Sequence, residues 1–218
     1  MGNLDVFEGS RVKAREALGQ SVVKALEAKG YKAVYVPSKE AALEEVLKLI
    51  PQGASVGVPG SVTIREIGAM EKLKERGCTV YQHWDPMLPP EERASILANE
   101  NAADYFLTST NAITRDGILV NIDGTGNRVS AMAWGRNTLI FVVGINKVAS
   151  DLNAAIERSR AATPANVMRL NGNAPCAQTG YCLDCNSPNR VCRALLILER
   201  AVPGRNSHVI IVGEDLGF

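Results

Sequence analysis

Histidine is nearly absent from this chain: His83 and His208 are the only two in 218 residues. His83 falls in a loop, His208 opens a strand, and nothing in the sequence pairs them. Neither a Ser-His-Asp triad nor a histidine-built metal site is expected. An excess of either charge is missing too. Twenty-four Lys and Arg against 23 Asp and Glu leave a net charge of +1, so nothing electrostatic favours nucleic acid or an acidic membrane surface. No apolar stretch reaches ~18 residues, which excludes a membrane span. No N-terminal apolar run reads as a signal peptide. The Walker loop and the Gly-x-Gly-x-x-Gly fingerprint are both absent. Internal repeats, low-complexity tracts and linkers are absent as well. A single domain over residues 1–218 is expected in a reducing cytoplasm, and a chain of this length buries roughly 70% of its unfolded surface without staples.

Cysteine, by contrast, is concentrated. Four of the five cysteines, Cys176, Cys182, Cys185 and Cys192, lie in one polar segment spanning about residues 172–192. Glycine and asparagine flank them, which predicts a tight irregular loop. Thiolates around a Cys-x-x-Cys can converge on one soft metal, because the two-residue spacer lets both sulfurs point the same way. The spacing Cys-x5-Cys-x2-Cys-x6-Cys matches neither common ferredoxin patterns nor a paired zinc ribbon. Iron–sulfur, zinc, a redox dithiol and reduced bystander thiols therefore all stay open at these four positions. Cys78 starts a strand and reads as a small buried hydrophobe.

The rest alternates between helix and strand. Ser10 to Gly30, Ser38 to Ile50, Ser61 to about Arg76, and a segment opened by Pro89 and Pro90 read as helices. Tyr31 to Val36, Ser55 to Val58, Cys78 to Gln82, Tyr105 to Thr110, Thr138 to Gly144 and His208 to Gly213 read as strands. The pattern predicts an α/β fold with a mostly parallel sheet covered by helices on both faces. Arg115-Asp116-Gly117 is a hairpin signal between the strand ending at Thr110 and a second at Gly117 to Ile122.

Two loops can hold a ligand. In the first, a strand runs into Gly60, Ser61 and Thr63 at a helix start, where free N–H groups and hydroxyls suit an anion. An ordinary capped turn would carry the same residues, and Thr63 to Glu66 has the form of a capping box. The second holds Asn111, Asp123, Gly124, Thr125, Gly126, Asn127 and Arg128 between two apolar runs. Its glycines let a ligand approach the backbone, and Arg128 can clamp a carboxylate or phosphate. A self-satisfied turn is the competing reading. Glu66 and Asp123 are the nearest carboxylates, so either could act as base or nucleophile. Lys147 follows a strand end and could bind an anion, although a solvated lysine is the commoner outcome. Both loops follow strands, so they should share one crevice and one small anionic metabolite.

Taken together, four stretches resemble the LUD family of lactate-utilisation proteins: Val58 to Glu66, Ala103 to Gly117, Asn121 to Val129 and Val143 to Lys147. The Asp123-Gly124-Thr125-Gly126-Asn127-Arg128 block is the most specific of them. The resemblance runs from about residue 10 to the Glu214 to Phe218 segment. It implies a three-layer α/β/α fold with a β-hairpin insertion, similar to sugar-phosphate isomerases and CoA transferases. It also implies a part in oxidising lactate to pyruvate beside iron–sulfur redox subunits, and names no nucleophile. The four-cysteine segment resembles a feature of a short subgroup of that family. Three function classes follow: a metabolite-binding protein that takes part in or regulates organic-acid oxidation, an isomerase or acyl-transferase using a loop carboxylate, and a non-catalytic electron-transfer or docking subunit.

Overall fold

The computed structural model describes residues 3–84 and 87–218. Six strands form the central sheet: β1 (Lys32–Val36), β2 (Ser55–Gly57), β3 (Thr79–Tyr81), β4 (Tyr105–Thr108), β7 (Thr138–Gly144) and β10 (Ser207–Val212). Their order is β1-β10-β7-β4-β2-β3, and every pairing is parallel. The central strands are continuous apolar runs, as burial on both faces requires. On β7, Ile140 and Val142 face one core, while Leu139, Phe141 and Val143 face the other. The first core is closed by α2 (Lys39–Leu49), α3 (Val62–Glu66) and α4 (Ala69–Glu75). The second is closed by α1 (Asn3–Ala28), α6 (Asn127–Ala133) and a smaller sheet. The fold is thus three-layered α/β/α, as the sequence predicts.

The smaller sheet refines the expected hairpin. It orders β8 (Val148–Ala149), β5 (Ala112–Thr114), β6 (Leu119–Asp123) and β9 (Ala194–Leu198). The hairpin pairs β5 with β6 around Gly117, whose φ of 83° needs glycine. Its first arm is therefore Ala112–Thr114. The strand at Tyr105 belongs instead to the parallel sheet and ends at Thr108. β9 lies antiparallel to β6 and was not evident in the sequence.

One expected helix divides. Gly68, at φ 69°, separates α3 from α4. The capping box is corrected as well. Ser61, not Thr63, is the N-cap, accepting from the Ile64 N–H at 3.4 Å, and Glu66 is the last residue of α3. Ser38 caps α2 by accepting from Ala41 N, and Asp151 caps the helix Leu152–Ala161 by accepting from Ala154 N.

Strand order reverses between β2 and β4. The chain leaves β2 toward β3 at one edge, and leaves β4 toward β7 and β10 on the other side. Beyond the carboxyl ends of two such strands a crevice opens, because their connections part in opposite directions. Gly60 follows β2 there, and Asn111 follows β4. Among the described residues no helix is long and apolar enough to cross a membrane.

Candidate functional site

A cavity of about 370 Å³ opens at this crevice. Gly60, Asn111, Asp123, Gly124, Thr125, Asn127 and Arg128 line it, so the two predicted loops meet. Gly60 has a φ of 74°, and a Cβ there would run into the indole of Trp84. Glycine is required on both counts.

Several expected residues serve the loops themselves. The Asp123 carboxylate is buried and accepts four backbone N–H groups. Oδ1 takes those of Gly124 at 2.7 Å and Thr125 at 3.3 Å, while Oδ2 takes Arg128 at 3.0 Å and Val129 at 3.2 Å. Oδ2 also lies 3.6 Å from Arg128 Nε. With its lone pairs so engaged, Asp123 holds the turn in shape. Arg128 donates through Nη2 to the Ile122 carbonyl, and burial holds its pKa down. Asn111 accepts from Ile122 N at 2.9 Å. Gly126, at φ 85°, caps α6.

Ser61, Thr63, Glu66 and Lys147 are not among the cavity-lining residues. Lys147 is buried, with Nζ donating to Thr63 Oγ1 at 2.9 Å and Ser109 Oγ at 3.0 Å. Desolvation lowers its pKa to about 7; Arg158 and Arg128 also lower it, while Glu66 opposes them. Glu66 is exposed and accepts the Gly217 N–H at 2.6 Å. The residue expected to be solvated is therefore enclosed, under the segment that carries Gly217.

The other cavity wall was missed by sequence reasoning. Trp84 lies between two guanidinium groups, Arg169 at 3.7 Å and Arg65 at 4.1 Å from a ring centroid. His83 lines the cavity, and its Nδ1 is 2.7 Å from Oε1 of the fully buried Glu100. Burial raises the Glu100 pKa, and His83 opposes it. Arg93 donates to the His83 carbonyl at 2.9 Å. The available signal was position: His83 and Trp84 follow β3, at the carboxyl end of a parallel strand, on the side of the sheet where ligands collect. Two cavity-lining residues also carry buried donors with no acceptor among the described residues, Asn127 Nδ2 and Arg169 Nε.

The cysteine loop adjoins this cavity. Cys192 and Val191 line it, and the Val191 carbonyl would lie 2.9 Å from a Cβ on Gly124. The Arg193 N–H donates to the Asp123 carbonyl at 2.8 Å, tying the two loops together. Arg190 reaches the carbonyls of Cys185 and Cys192, both at 2.7 Å. All five cysteines are free thiols. Burial raises the Cys176 pKa, and Cys185, Cys182 and Cys192 add to the rise, so all four sulfurs share one electrostatic neighbourhood. Among the described residues, no three or more His, Cys, Asp or Glu side chains form a group able to hold a metal ion. Cys78 lies apart in the core, its Sγ 3.5 Å from the Pro51 carbonyl.

Fold and cavity together define an α/β/α protein with a cationic, amide-lined cleft at the switch point of its sheet. A family model described as the LUD domain matches residues 19–212, and the chain belongs to that family. Among solved structures, the crystal structure of a DUF162 family protein from Deinococcus radiodurans is similar to it. The match covers 91% of this chain and 98% of that chain at 15% identity, with a TM-score of 0.53. At that identity the likeness bears on the fold alone. No curated protein matches this chain.

Proposed function

We propose that this protein binds a small anionic metabolite in the cleft and takes part in, or regulates, lactate or related organic-acid oxidation in the cytoplasm. One observation carries the reading: the unpartnered donors Asn127 Nδ2 and Arg169 Nε line one cavity. Buried donors are rarely left without an acceptor, so this pair calls for an acceptor-rich ligand. Arg128 and Arg169, which both line the cavity, favour negative charge. Membership of the LUD family, associated with lactate utilisation, supplies the metabolic setting.

The reading includes a thiol-rich redox or metal site at Cys176, Cys182, Cys185 and Cys192. These reduced sulfurs are the soft donors that an iron–sulfur cluster or zinc takes, and either group would be held by these four residues. They do not form a ready ligand set as placed, so ligand binding in the cleft is proposed without any step through a metal. An iron–sulfur redox subunit is the proposed partner, because Cys192 brings the loop to the ligand cavity.

Calorimetric titration with organic acids from L-lactate and pyruvate up to gluconate tests the reading. Saturable binding lost in Arg169→Ala is expected. No binding by any acid, or equal binding by the variant, contradicts it. Iron and zinc analysis of anaerobically purified protein tests the thiol site separately: a stoichiometric metal is expected, and neither metal contradicts a metal centre.

A further inference from the structure

We infer that the cleft is an acid–base site in which His83, held by Glu100, moves a proton on a hydroxylated anionic ligand larger than lactate. The inference rests on the anion-binding reading above, and adds the ligand class and the chemistry.

The geometry of the pair comes first. Glu100 Oε1 engages His83 Nδ1 at 2.7 Å, and His83 Nε2 has no protein hydrogen-bond partner among the described residues. A carboxylate on one ring nitrogen fixes the imidazole tautomer and leaves the other nitrogen as a base. Glu100 is fully buried, and its Oε2 has no hydrogen-bond partner among the described residues. A buried carboxylate is costly, and an apolar side chain in α5 (Pro90–Ala102) would fill the same space more favourably. Among the described residues, the hydrogen bond of this carboxylate goes to His83. The sequence positions are 17 apart, and the Arg93 contact with the His83 carbonyl holds the loop against the helix.

The cavity sets the ligand class. Lactate has six heavy atoms. At water's ~30 Å³ per heavy atom it fills at most about 180 Å³, half of the 370 Å³ present. The amides of Asn127 and Asn166 and the hydroxyls of Thr125 and Thr163 suit several ligand hydroxyls. Arg128 and Arg169 suit one anionic group, carboxylate or phosphate.

The proton step balances without a co-reactant. On a ligand whose carbonyl adjoins a CH(OH) carbon, His83 Nε2 takes the carbon-bound proton. The C–H electron pair becomes a C=C bond, and the carbonyl π pair moves to oxygen. The resulting enediolate oxygen develops charge near the guanidinium groups. Returning the proton to the same carbon restores the starting carbonyl; returning it to the other carbon, with the enol hydroxyl proton passing to the neighbouring alkoxide oxygen, gives the isomeric hydroxycarbonyl, so nothing is oxidised or reduced overall.

Trp84 supplies the reporter, since the only other tryptophan, Trp134, is exposed and can be replaced. Protein carrying Trp134→Phe is titrated by fluorescence with D-ribose 5-phosphate, 2-keto-D-gluconate and L-lactate. Deuterium uptake next to the carbonyl of the first two is followed by NMR in D2O. At least one larger probe should bind ten-fold or more tighter than lactate and acquire deuterium, and which one does so identifies phosphate or carboxylate as the anion. His83→Gln should keep binding within about three-fold and slow exchange about 100-fold or more. Glu100→Gln, at a positioning residue, should slow exchange about ten-fold with binding retained. His83→Gln decides alone if the Glu100 variant does not fold. Lactate binding as tightly as both larger probes overturns the inference. So does a bound probe that takes up no deuterium, or wild-type exchange in His83→Gln. If no anion alters Trp84 fluorescence, the anion-binding reading falls with it; binding without exchange removes the acid–base site alone.

Discussion

Two clusters of cations lie near the carboxyl ends of the central strands, and they differ in how completely they are satisfied. At the first, Lys147 gives its ammonium protons to Thr63 and Ser109 beneath Gly217. At the second, Arg169 and Asn127 keep buried donors without acceptors among the described residues, around an open cavity. A closed network holds strands and loops together. An open one has free-energy gain in reserve for whatever supplies the acceptors. The contrast separates a structural cation from ligand-binding ones, which charge alone does not.

The largest test of that division falls on Asp123. If its carboxylate holds the turn, Asp123→Ala should lower stability by about 3–5 kcal/mol, read by urea unfolding, because four N–H groups and Arg128 lose their acceptor. A nucleophile or base of no structural weight would leave the unfolding curve unchanged.

Next in size is the pH dependence set by Lys147. Its folded pKa is lowered to about 7 from 10.5, chiefly by burial. Between those values the unfolded chain carries a proton that the folded chain lacks, so stability should rise with pH from about 7 to 10. The rise should be on the order of 3 kcal/mol, and Lys147→Met should flatten it. Arg158, Glu66 and Arg128 are the charges that act on this group. Equal slopes in the two proteins would return Lys147 to the solvated class.

Arg169→Ala should weaken ligand binding by about 1.5–3 kcal/mol, the usual cost of losing a charged hydrogen bond. Its urea midpoint should shift little, because the side chain is only partly buried. A large stability loss with unchanged affinity would reverse the roles assigned to the two clusters. The smallest effect expected is at Ser61. Removing the cap in Ser61→Ala should cost about 1 kcal/mol, whereas Thr63→Val should act through Lys147 instead.

Legibility in the sequence followed the range of the interactions. Thr138–Gly144 was readable because a strand buried on both faces has no polar residue to interrupt it. The cap at Ser38 was readable because donor and acceptor are three residues apart. β9 was hidden because it follows the polar cysteine loop and pairs with β6, about 75 residues earlier in the chain. The break at Gly68 was hidden because a lone glycine in a helical pattern also fits an unbroken helix. In the site, the loop from Asp123 to Arg128 declared itself through glycine and polar side chains. The wall of His83, Trp84 and Arg169 did not, since it is assembled from a loop after β3 and the end of α8 (Thr163–Arg169). Glu100 could be read only as one more acid in a helix until the fold placed it at zero exposure beside His83.

The division between the two clusters is tested most directly by a crystal soaked in selenate, whose anomalous signal locates the anion without reference to any substrate. An anion peak within hydrogen-bond distance of Arg169 Nε and Asn127 Nδ2, with none at Lys147, is the predicted result. A peak at Lys147 in place of Thr63 and Ser109, with the cleft empty of anion, would contradict the account.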